Sequence, residues 1–105
     1  MIKNDRTKEL LAALEQNKES IFEKIGSVGL ASVISETPVR TGELRDANQV
    51  EVMTEEDAVV WFNDKSYAPF VEYGTYKMNP NPFMLRGLMN KINEFSNIII
   101  NGLKI

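Results

Sequence analysis

The sequence predicts an α+β fold: a long N-terminal helix, an antiparallel β-hairpin or small sheet, a short helix or turn, and a C-terminal helix packed on the sheet. Three observations predict it. Apolar residues recur at steps of three and four from Asp5 to Glu36, the step falls to two between Ala47 and Asn63, and three-and-four spacing returns after Pro82. With 105 residues, 43% hydrophobic and 26% charged, the chain has material for one domain, 1–105, burying roughly two thirds of its unfolded surface. Residues 1–7 and 101–105 are expected to fray, and 64–82 to form a mobile loop.

The first helix carries Leu11, Leu14, Ile21, Phe22, Ile25, Val28 and Val33 along one side. Gly26 and Gly29 each cost it roughly 1 kcal/mol relative to alanine, so they should mark a bend or a place where another backbone comes close. Pro38 disfavours helical geometry at Thr37 and should end the helix there. In the hairpin, Val50 and Val52 alternate with Gln49 and Glu51, and Val59 and Trp61 with Val60 and Phe62. Glu55-Glu56-Asp57 would form its connection, a tip that must stay wet because adjacent carboxylates cannot be buried unpaired. The second strand is apolar on both faces. One face should meet helices; for the other, cover by a neighbouring subunit and burial within the chain weigh equally. Tyr67, Phe70 and Val71 then stand at i, i+3 and i+4, with Gly74 placed for a left-handed C-terminal cap. Asn81 offers an N-cap oxygen and Pro82 suits the first helical position, before Leu85, Leu88, Ile92, Phe95 and Ile99 repeat the helical spacing.

Composition removes several function classes. The chain has no cysteine and no histidine, so it lacks disulfides, thiolate ligands, the usual proton shuttle near neutral pH and the commonest metal ligand. We expect no catalytic residue, no metal ligand and no cofactor. The polar start Met1-Ile2-Lys3-Asn4-Asp5-Arg6 is no secretion signal, and the longest apolar run, Ile98-Ile99-Ile100, cannot span a bilayer. No membrane partner is expected. Net charge is −3, unevenly placed: residues 43–64 hold one basic and seven acidic side chains, and residues 65–105 hold five basic and two acidic. Such asymmetry suits contact between different patches of identical subunits, although two solvated faces would look the same.

The informative motifs are turns set beside aromatic and charged residues. In Thr37-Pro38-Val39-Arg40-Thr41-Gly42-Glu43-Leu44-Arg45, Pro38 and Gly42 define a tight change of direction, with Gly42 free to adopt positive φ. At least one of Arg40 and Arg45 should form a bidentate pair with a carboxylate, and Glu72 is the best candidate, an acid set between Val71 and Tyr73 that reads as a fold-fixing partner and not as a general base. Solvated arginines are the plainer reading. In Tyr67-Ala68-Pro69-Phe70-Val71-Glu72-Tyr73-Gly74-Thr75 and Asn81-Pro82-Phe83, the tyrosines have the amphipathic make-up enriched at interfaces. Phe83 should enter the core in preference to a neighbour's groove. The candidate structural and interface residues are therefore Pro38, Arg40, Gly42, Arg45, Tyr67, Phe70, Glu72, Tyr73, Gly74, Thr75, Pro82 and Phe83.

These three blocks, in this order and spacing, resemble the HK97 gp10-like family of tailed-bacteriophage proteins, tail-completion or head-tail joining components of phages and prophages. The resemblance covers roughly residues 8–95 and departs from the family pattern at Asp46-Ala47-Asn48, where a serine-containing turn is usual. It implies a non-enzymatic structural protein of the virion neck or tail, made in the bacterial host cytoplasm and assembling as an oligomeric ring. The implied partners are further copies of itself and the connector, tail tube or terminator.

Two other classes compete. A small nucleic-acid-binding module would want a concentrated basic face, whereas only Lys65, Lys77, Arg86, Lys91 and Lys104 make the C-terminal third basic. No specific nucleic acid is expected. A hydrolase or nuclease holding a divalent metal at Glu55, Glu56 and Asp57 would need convergent oxygens, which three consecutive acids seldom supply.

Overall fold

The computed structural model describes residues 4–39 and 42–103. Helix α1, Asn4–Glu36, runs unbroken for 33 residues, a rod of about 50 Å. It ends where Pro38 requires: the Thr37 hydroxyl donates to the Val33 carbonyl at 2.6 Å and its N–H to the Ile34 carbonyl at 3.2 Å. A single turn, α2 (Glu43–Asp46), leads into strand β1 (Asn48–Met53). A 3-10 turn at Thr54–Glu56 and Asp57 at φ +55° return the chain as β2, Ala58–Asn63. Three short helices follow: α3 (Ala68–Tyr73), α4 (Phe83–Met89) and α5 (Ile92–Gly102).

The strands pair antiparallel from Asn48 opposite Asn63 to Met53 opposite Ala58. Opposed residues share a face, so Val50, Val52, Val59 and Trp61 lie on one side of the sheet and Gln49, Glu51, Val60 and Phe62 on the other. The first side lies on α1, and the glycines let it come close. Gly26 faces the side chains of Val50, Val52 and Val59, and a Cβ on Gly29 would sit 2.6 Å from the Trp61 indole. The helix continues through both glycines, and each receives side chains of the sheet, where the sequence suggested a bend or a second backbone. The indole N–H donates to the Gly26 carbonyl at 3.1 Å, and the ring stacks on Phe95 with centroids 5.9 Å apart. At the tip, the Asp57 carboxylate lies 2.9 Å from the Lys18 ammonium and ties the turn to α1. The second face of the sheet is open at Glu51, which is exposed, and at Val60, 42% exposed, while Phe62 is half-buried beside α3.

The single C-terminal helix expected from Pro82 is two. At Lys91 the backbone reaches φ −111°, and its N–H bonds the Leu88 carbonyl three residues back at 3.1 Å, breaking the α-helical ladder. The turn redirects the chain between two docking points on α1. Before it, Gly87 lies against the Val33 backbone and accepts the Ser32 hydroxyl at 2.7 Å. After it, Phe95 reaches Trp61, and the Gly102 carbonyl accepts from the Asn17 amide at 2.8 Å. The pair therefore runs antiparallel to α1. The tightest core sits at the C-terminal end of α1, where Val33, Leu44, Ala68 and Phe83 are buried together with Val71, Met84 and Leu88 against them.

Candidate contact surface

The turn from helix to sheet is fixed by a buried amide network. Asn48 donates through Nδ2 to the Thr37 hydroxyl at 2.8 Å and the Arg45 carbonyl at 3.1 Å. Its cross-strand partner Asn63 donates to the Asn48 amide oxygen at 2.9 Å and the Leu44 carbonyl at 2.8 Å. Asn48 and Thr37 are both buried, where an unsatisfied polar group would cost about 1–3 kcal/mol. Gly42 enters α2 at φ +86°, the positive φ expected from the sequence. Arg40 and Thr41 lie outside the described residues.

Helix α3 divides the remaining candidates between two concavities. On one side, Tyr67, Phe70 and Val71 join Pro38, Leu44 and Met78 around a groove of about 690 Å³. Tyr67 and Phe70 are exposed there. On the other side, Glu72 and Tyr73 face Phe62, Phe83 and Met84 across a cleft of about 160 Å³. Two sequence blocks thus converge on the groove, since Pro38 and Gly42 line it with Tyr67 and Phe70. Phe83 is 1% exposed and belongs to the core.

The expected pairing of Arg45 with Glu72 is absent. Arg45 donates from Nε to its neighbour Asp46 at 3.2 Å, while both Glu72 oxygens accept backbone N–H groups at the start of α4, Met84 at 3.0 Å and Leu85 at 3.1 Å. A carboxylate at a helix N-terminus satisfies orphan amides and opposes the positive end of the dipole, so Glu72 fixes the fold, by capping. It also fills the place expected for Asn81. Helix α4 begins at Phe83 with Pro82 as its capping position, without a side-chain cap from that residue. The Asn81 amide oxygen instead accepts from Arg86 at 2.8 Å. Arg86 also pairs with the Glu36 carboxylate and donates to the Glu36 carbonyl at 3.2 Å, placing a cation on the negative end of α1. Reading the sequence for function missed Asn48, Asn63 and Arg86. The two asparagines carry a usable signal in their symmetric placement at the hairpin base.

Gly74 follows α3 at φ +79° and ψ 175°, positive in φ as a cap requires but extended in ψ. A Cβ there would lie 2.8 Å from the Met78 carbonyl oxygen. The chain turns back at once, Thr75 bridging to Met78, and Tyr76 stands 93% exposed at the tip. Among the described residues no helix is long and apolar enough to cross a membrane.

A helical spine, a two-stranded sheet and short helices that place aromatic side chains around shallow concavities define a small α+β protein. The chain belongs to the HK97-gp10-like family, whose model, described as "Bacteriophage HK97-gp10, putative tail-component", matches residues 4–74. That span takes in α1, the turn at Gly42, the hairpin and α3. No match was found among curated proteins or among solved structures.

Proposed function

We propose that this protein is a structural component of the virion neck or tail, completing the tail or joining it to the head as a ring of repeated subunits. Its partners are further copies of itself and the connector, tail tube or terminator, met in the host cytoplasm during assembly. The observation that carries the reading is the groove at α3. Two turn motifs within the span shared with a phage tail-component family set exposed aromatic side chains around it on a frame of buried hydrogen bonds. Exposed aromatic side chains serve contact, because each buries a large apolar area and carries a polar tip or ring edge suited to an interface. A non-enzymatic role agrees with the side chains available: of the three tip acids that could have gathered a metal, Asp57 is taken up by Lys18. Segment 64–82 is the part that settles on docking, so its amide exchange should slow on assembly.

Electron microscopy of particles made without this protein tests the role. Separate heads and tails are expected; joined, infectious particles at normal yield would overturn it.

A further inference from the structure

Between Gly74 and Asn79 the chain forms a small knob. Thr75 and Met78 exchange backbone hydrogen bonds of 2.9 and 3.2 Å, and the Lys77 N–H is held by the Thr75 hydroxyl at 3.2 Å. The Lys77 ammonium stands 5.4 Å over the centre of the Tyr76 ring, within cation–π range. Among the described residues Lys77 has no carboxylate within ion-pair distance. The open sheet face is its chemical complement. Glu51, directly opposite Val60 in the register, is exposed there and also has no ion-pair partner among the described residues. Phe62, half-buried, continues the apolar strip toward the cleft that it lines with Tyr73.

We propose that the Tyr76–Lys77 knob of one copy seats on the open sheet face of a second copy, with Tyr76 over Val60 and Phe62 and the Lys77 ammonium against the Glu51 carboxylate. The inference rests on the reading of the protein as a repeated subunit and names the surfaces that repeat. A second copy is the occupant because the charges match: segment 43–64, which comprises α2 and the hairpin, has seven acids to one base, and the segment 65–105 that carries the knob has five bases to two acids. Opposite patches on one chain make a head-to-tail contact, which can close into a ring. The salt-sensitive charge pair sets register and encounter rate, and the aromatic supplies the apolar contact.

The absence of cysteine makes the contact directly measurable. Asn79→Cys beside the knob and Gln49→Cys beside Glu51 are mixed under mild oxidation, with Glu23→Cys on the exposed side of α1 replacing Gln49→Cys as control. Disulfide-linked dimers should form about tenfold faster than in the control, the factor equivalent to 1.4 kcal/mol of association. Adding K77E to the knob chain should bring the rate down to that of the control, and adding E51K to its partner should restore it. A control-level rate from the start, or a rate indifferent to both reversals, would overturn the contact. Unjoined particles in the deletion, alongside such a result, would leave the neck role standing and assign the knob to another protein.

Discussion

At the scale of single residues, the positions that hold the fold are those where backbone geometry or a buried polar atom leaves no alternative. Gly42 at φ +86° is one. Replacing it with valine should destabilise the protein by more than about 1 kcal/mol, since a β-branched residue is strained there; chemical denaturation would show it. Glu72→Ala should cost about 1 kcal/mol as a lost cap. The double variant with Arg45→Ala should be additive within error, because their side chains have separate partners. A coupling free energy well above error would show an interaction missing from the structure. Gly42 was legible in the sequence because a Thr-Gly step after proline has few other uses. Glu72 was legible as a fold-fixing acid, but its partner was not: backbone amides of residues 84 and 85 carry no side-chain signature, so an arginine looked the better match. The Asn48–Asn63 pair escaped notice for a related reason, since asparagine at a strand end reads first as turn chemistry.

At the scale of elements, helix and hairpin were readable because each keeps a single period. The break at Lys91 was not, because Leu88, Ile92, Phe95 and Ile99 keep the three-and-four rhythm across it and only the backbone angles change. The α1–sheet contact makes a prediction against propensity. Gly29→Ala should strengthen the helix by about 1 kcal/mol in isolation, yet the new methyl would meet an indole pinned by Gly26 and Phe95. Overpacking of this kind costs about 1–3 kcal/mol, so net destabilisation with altered Trp61 fluorescence is expected. The hairpin tip adds a pH signature. The hydrogen bond to Asp57 raises the Lys18 pKa above the ordinary lysine value. A raised folded-state value contributes stability that is complete below the unfolded lysine pKa and is lost as pH rises through the folded one. Stability should therefore fall in the alkaline range beyond ordinary lysine titration, and Asp57→Asn, which tolerates the same backbone angles, should weaken that dependence, since Glu15 still stands 3.7 Å from the Lys18 ammonium. Thermal melts at a series of alkaline pH values would measure it.

At the scale of the whole molecule, α1 is the spine on which the sheet and both C-terminal helices rest. The shape is long, 59 × 24 × 20 Å with a radius of gyration of 17.2 Å, against about 13 Å for a sphere-like domain of this length. X-ray scattering from dilute protein should return the larger value. Elongation was not legible in the sequence, because helix length is readable but not how far the other elements extend beside it. The charge asymmetry was legible; the sheet face that gives it a surface was not, since a strand apolar on both sides reads as covered on both. The stacking of Phe95 on Trp61 also has a consequence for biosynthesis. A ribosome delivers the indole well before its aromatic lid, so every nascent copy passes through a stage in which that ring is uncovered, and polypeptides released early, short of Phe95, should adhere to one another or to chaperones.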